Sequence, residues 1–195
     1  MISYVRPEPL RKGMSYKEYD IHGSTVVEKE DFRVFRSMDL TLPLAYRGDT
    51  RDPDVIFRDG FYPREQYQGR GYKAVIRLGN MDMNTKYAVS FSREFTIPVL
   101  FPFDPAKPPP DRHTRNANVY VCALDSWLEI YNMQKIVAPH LEYAKEVASL
   151  GVPTEQVLGV VIVEATFSRR TNSFDFEMKK IRKNPNCGKL SLIHI

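Results

Sequence analysis

Arg47 stands at the end of a short apolar stretch and is followed within six residues by Asp49, Arg51, Asp52 and Pro53. A guanidinium delivered by a strand end, next to a polar turn and a capped helix, lies at the mouth of a cleft. Its planar fork of donors suits a phosphate there in a way that a lysine would reproduce poorly. Downstream, Ser90 and Ser92 flank Phe91 in residues 86–93, KYAVSFSR, with the two serines on one face of a strand. Residues 139–153, PHLEYAKEVASLGVP, carry Glu142 and Glu146, and Glu164 sits inside a later apolar run. Taken singly, each has an ordinary explanation: a surface ion pair for Arg47, a half-buried strand for the serines, a solvated helix face for Glu146. The spacing of Arg47 to Asp49, Arg51 and Pro53 is what favours the phosphate-holding role. Gly69-Arg70-Gly71 lacks the full spacing of a phosphate loop. His22, His113, His140 and His194 show no ligand spacing, so no metal is expected. Cys122 and Cys187 make neither a disulfide framework nor a ligand cluster; both read as free thiols, Cys122 as a small hydrophobe.

The elements that must carry these residues follow from local pattern. Residues 42–47 read as a short strand. Asp52 is an N-cap carboxylate before proline at the first helical position, which predicts a helix over 53–59 with Val55, Ile56 and Phe57 on its apolar side. Gly60 supplies the left-handed residue that ends it. Residues 118–124, NVYVCAL, alternate as a strand, 157–167 form a core strand, and Phe174, Phe176 and Met178 alternate in a second strand after a turn at 169–173. The prolines of 97–112 exclude a regular helix or central strand and favour an extended loop. Residues 125–137, with Trp127 and Tyr131, read as irregular or helical. Residues 1–40 read as an N-terminal extension of undefined role, and 183–195 as a peripheral tail docked by its apolar residues.

At 195 residues and 43% hydrophobic, the chain suits a single domain, 1–195, with a proper core. Its longest apolar runs, such as 157–163, fall far short of the roughly 20 residues of a membrane-spanning helix. Early prolines and charges stand where a conventional secretion signal would have an apolar core. A net charge of +4 can steer a chain toward nucleic acid, anionic surfaces or an acidic partner, although basic clusters such as Arg169-Arg170 and Lys179-Lys180 more commonly form a solvated face.

The ordered set Tyr46-Arg47, Asp49, Arg51, Pro53 and Asp59-Gly60-Phe61, then Ser90-Phe91-Ser92, then Glu146, Val147, Leu150, Gly151 and Pro153, resembles the bacterial mono-ADP-ribosyltransferase toxins and effectors of the cholera and pertussis type. The resemblance covers residues 44–163. It implies an α/β (α+β) fold of two mainly antiparallel sheets flanked by helices around an NAD cleft. It also implies NAD as substrate, release of nicotinamide, and transfer of ADP-ribose to a macromolecule, most simply a protein of a host or competitor, with nucleic acid left open as acceptor. On it, Glu146 is the catalytic glutamate, Ser90 orients it, and Arg47 holds the pyrophosphate. Gly48, Asp49, Arg51, Ser90, Phe91, Ser92 and Tyr87 join Arg47 in binding NAD, with Tyr46, Tyr87 and Phe91 as pocket walls. The family's central hydroxyl is replaced by Phe91, and Ala144 takes the place of the upstream acid associated with arginine acceptors; Glu142 is the nearby alternative, and Glu164 a lesser candidate for the catalytic carboxylate. The resemblance further implies a secreted effector acting in a target-cell cytosol, or a cytoplasmic enzyme. An NAD glycohydrolase with the same site, and a basic nonenzymatic module that binds nucleic acid or protein, are the competing readings.

Overall fold

The computed structural model describes residues 2–6, 17–23, 43–64, 88–99, 102, 111–125, 128–129, 146–171 and 173–187. Nine strands, two α-helices and a single 3-10 turn (Thr154–Gln156) lie within them: β1 (Ile2–Arg6), β2 (Lys17–Gly23), β3 (Leu44–Gly48), α1 (Pro53–Asp59), β4 (Val89–Ser92), α2 (Thr96–Val99), β5 (His113–Ala123), β6 (Leu128–Glu129), β7 (Glu146–Ser149), β8 (Val157–Ser168) and β9 (Ser173–Lys183). The helix expected over 53–59 is found with those bounds. The expected strands 118–124 and 157–167 are both found, the first extended backwards to His113. The two longest strand pairs are antiparallel, β5 against β8 and β8 against β9.

All nine strands join one sheet in the order β1-β2-β9-β8-β5-β3-β4-β7-β6. Every pair is antiparallel except β2 with β9. The expectation of two sheets is corrected accordingly, because β3 pairs with β5 on one side and with β4 on the other. The second of those pairings is a narrow joint: Tyr46 opposite Ser92 is its single register pair. A large block of six strands and a small block of three therefore share a single ladder pair, and the two-sheet arrangement survives as a splay within a continuous ladder.

β8 is buried on both faces over residues 157–161, which is why 157–163 is a continuous apolar run and not an alternating one. Ala117, Val119, Val121 and Ala123 of β5 pack on one face with Phe95, Val99, Leu158, Phe167 and Phe174. Tyr120 and Cys122 of the same strand turn to the other face, where Ile56, Phe57, Phe61, Phe91 and Val147 form a second cluster. α1 lies on this second face, and α2 covers the first.

Two local expectations are corrected. Thr96–Val99 forms one helical turn inside the proline-rich stretch. Pro98 falls in the first turn of that helix, where backbone N–H groups have no intrahelical acceptor and a missing one costs nothing. Leu128–Glu129 is a two-residue strand, within a stretch read as irregular or helical, and it exists because β7 offers it an edge.

Candidate active site

The segment from β3 into α1 is fixed at each end by local chemistry. The Asp52 carboxylate accepts from the Asp54 backbone N at 2.7 Å, and Pro53 follows at the first helical position. Gly60, at φ 72°, ends the helix by donating its N–H to the Ile56 carbonyl at 2.8 Å. Arg182 of β9 pairs with Asp54 and lies over the Phe57 ring at 5.3 Å. The Phe57 carbonyl accepts from the Thr154 hydroxyl and from Asn186 Nδ2, the latter at 2.8 Å. Phe61 and Val152 then exchange two backbone hydrogen bonds, at 2.8 and 2.7 Å, which join the end of α1 to the segment leaving β7.

Between β3 and α1 the turn is organised by Asp49. Its carboxylate accepts from the Arg51 backbone N at 3.0 Å and from the Arg51 guanidinium at 2.9 and 2.8 Å. Burial works to raise the Asp49 pKa, but these hydrogen bonds and the charges of Arg51 and Arg47 outweigh it, and the net direction is down. The Tyr120 hydroxyl donates to the Arg51 carbonyl at 2.9 Å, and the Asp49 N–H donates to the Asn118 carbonyl at 3.1 Å. β5 thus holds the whole turn.

Arg47 occupies the splay between β3 and β4. With Tyr46 opposite Ser92, an undisturbed antiparallel ladder would next set Arg47 opposite Phe91. Instead the Arg47 side chain turns across and Nη1 donates to the Ser90 carbonyl at 2.7 Å. Its guanidinium lies 5.5 Å from the Phe61 ring centre and 6.0 Å from that of Phe91. Nε is buried, 3.5 Å from Asp49 Oδ2, and has no hydrogen-bond partner among the described residues. Burial lowers the Arg47 pKa from its ordinary value; Asp49 opposes that and Arg51 adds to it.

Across the splay, β4 and β7 pair with Ser92 opposite Glu146 and Ser90 opposite Ala148, so the serines and the glutamate share a face. The Ser90 hydroxyl donates to Glu146 Oε1 at 2.5 Å. Tyr46, Arg47, Gly48, Ser90, Phe91, Ser92, Ile97, Pro98 and Glu146 line one cleft of about 200 Å³. A second hollow of about 170 Å³ adjoins it through Gly48 and Pro98 and reaches Asp49.

The fold therefore brings Arg47, Gly48, Ser90, Phe91, Ser92 and Glu146 to one cleft, with Asp49 and Arg51 behind it. Tyr87, Glu142 and Ala144 lie outside the described residues. Glu164 is paired with Lys179 at 3.1 Å, is partly exposed on β8, and does not line the cleft. Ile97 and Pro98, from the proline-rich segment that the resemblance sets beside the NAD site, form cleft walls, whereas sequence reasoning missed Phe61 as the ring behind the arginines. Among the described residues, no three or more His, Cys, Asp or Glu come together as a metal group, and no helix is long and apolar enough to cross a membrane.

No family model matches the sequence, and no curated protein matches it. Among solved structures, the nicked CARDS toxin is similar at a TM-score of 0.53 and 15% identity, over 76% of this chain and 31% of that one. Its full-length form gives 0.52 and 15%, over 77% and 30%. The Scabin toxin from Streptomyces scabies in complex with NADH gives 0.47 and 20%, over 75% and 76%. The chain spans about a third of the CARDS toxin chain. The likeness to CARDS toxin shows the fold: a mixed α/β fold with a mainly antiparallel sheet.

Proposed function

We propose that the chain is an NAD-dependent mono-ADP-ribosyltransferase of the toxin or effector type, a single domain over 1–195 that modifies a macromolecule, in the first instance a protein. The observation that carries this reading is a carboxylate and an arginine with an unspent buried donor in one cleft. Ser90 Oγ lies 2.5 Å from Glu146 Oε1, and Arg47 Nε has no hydrogen-bond partner among the described residues.

The chemistry follows from charge. Nicotinamide in NAD is a cationic leaving group, and when its N-glycosidic bond breaks the bonding pair departs with the ring, leaving an oxocarbenium-like ribosyl centre. A fixed carboxylate stabilises charge where it develops, as in glycoside hydrolysis. Glu146 takes that role and hydrogen-bonds the ribose 2′-hydroxyl; Ser90 sets its orientation. Arg47 turns its remaining donors to the pyrophosphate, where charge-assisted hydrogen bonds to a guanidinium are strong. An acceptor nucleophile then bonds to the ribosyl carbon and gives up its proton. Delivery from a producing cell into a target-cell cytosol is the setting that this reading implies.

The test follows labelled NAD in cell lysate with wild type, Arg47→Ala and Glu146→Gln, after both variants are shown to fold. Wild type transfers label to a lysate protein, and each variant loses about two to three orders of magnitude in rate. Release of free ADP-ribose without a labelled acceptor would identify a glycohydrolase. NAD left unbound and intact by wild type across several lysates would overturn the reading.

A further inference from the structure

Phe61 is fully buried, and its ring is shared by both arginines of the motif. Arg47 Cζ lies 5.5 Å from its centroid and Arg51 Cζ 5.4 Å. The ring is held edge to face by Phe91 at 5.8 Å and Tyr120 at 5.3 Å. Its backbone exchanges two hydrogen bonds with Val152, six residues past Glu146. Two guanidiniums thus converge on one carboxylate, Asp49, and on one aromatic ring. Like charges so close repel, and Asp49 offsets only one of them. The face of an aromatic ring attracts cations, most strongly where water is excluded.

We propose that Phe61 is a positioning residue for the dinucleotide: it holds Arg47 and Arg51 as one cationic unit, with Arg47 facing the cleft to receive the pyrophosphate and Arg51 behind it adding positive charge. The proposal rests on the NAD reading above. Phe61 touches no substrate in it and acts through the two arginines. The same residue, by its backbone bridge to Val152, ties that unit to the segment that follows the glutamate strand. Leucine or methionine in its place fills much of the space and keeps the bridge, but offers no ring face.

Titration calorimetry with NAD, ADP-ribose and nicotinamide as separate probes tests this on Phe61→Leu, Phe61→Met, Arg51→Gln and the Phe61→Leu/Arg51→Gln double variant, with circular dichroism to check the fold. Phe61→Leu and Phe61→Met should weaken NAD and ADP-ribose about tenfold, in line with the loss of two cation–ring contacts. Nicotinamide binding should stay within about twofold of wild type, since it carries no phosphate. In the Arg51→Gln background the further loss from Phe61→Leu should shrink below about threefold, because one of the two contacts is already gone. Folded variants that bind NAD like wild type, or that lose ADP-ribose and nicotinamide equally, overturn the positioning role and leave the NAD reading standing. Loss of fold in both single variants assigns Phe61 to the core alone and overturns it too. A wild-type chain that binds neither NAD nor ADP-ribose overturns both.

Discussion

Arg47 has two tasks for one guanidinium. Nη1 is spent on the Ser90 carbonyl, and so stands in for a ladder hydrogen bond that the splay removes. A lysine ammonium in its place cannot reach that carbonyl and a phosphate with separate, rigidly spaced donors. Arg47→Lys should therefore cost stability as well as activity: about 1–2 kcal/mol in urea unfolding for the lost charge-assisted hydrogen bond, with NAD turnover down about a hundredfold. Asp49 gives the matching statement in pH. Its folded pKa is depressed, so the stability it contributes is complete above the unfolded carboxylate value of about 3.9 and is lost as pH falls through the lower folded value. Thermal melts of wild type and Asp49→Asn should show a constant gap from pH 7 to about pH 5 that closes below about pH 4. That Arg47, Ser90 and Glu146 meet in one cleft was an expectation of their order along the chain, and the fold brings them together there. Phe61 as a partner of two guanidiniums was not legible, because nothing local to Asp59-Gly60-Phe61 records that Arg47, fourteen positions earlier, folds back over it.

At the scale of elements, α1 was legible to the residue because both of its ends are written in local chemistry: Asp52 and Pro53 at one, Gly60 at the other. α2 and β6 were not. Each exists through a partner distant in sequence, α2 by packing Val99 into the first core and β6 by pairing with β7. Gly60 shows how a local signal also carries a tertiary constraint. At φ 72° it lies where other residues are strained, and a Cβ there would stand 2.4 Å from the Val152 carbonyl oxygen. That carbonyl is one of the two groups joining α1 to the segment after Glu146. Gly60→Ala must shift the bridge as well as strain the backbone, and it should destabilise by about 2–4 kcal/mol in chemical denaturation. Activity should fall further than the unfolded fraction explains, because the bridge connects the arginine and glutamate halves of the cleft. Asp52→Ala removes only a cap and should cost about 1 kcal/mol without that excess.

At the scale of the molecule, alternation along β5 sends Val119 and Val121 to one buried cluster and Tyr120 and Cys122 to the other. The long strands were legible from that composition. The joining of two strand blocks through Tyr46 and Ser92 was not, since a single pair between residues 46 positions apart leaves no periodic trace. The two cysteines offer a direct measure of how firmly the second face is closed. Cys122 is fully buried opposite Ala45 of β3, and burial pushes its thiol pKa up, with the Arg47 charge opposing only weakly. Cys187 is partly exposed in the turn after β9. A thiol reagent at neutral pH therefore labels Cys187 first, because it attacks the thiolate and needs access. In Cys187→Ser, labelling of Cys122 should require opening of the sheet beside Arg47, and its rate should rise with urea in step with global unfolding. Labelling of Cys122 that is fast and insensitive to urea would mean that the face carrying Arg47, Phe61 and Tyr120 opens independently of the rest. A cleft whose arginine depends on that face would then owe its geometry to the ligand that fills it.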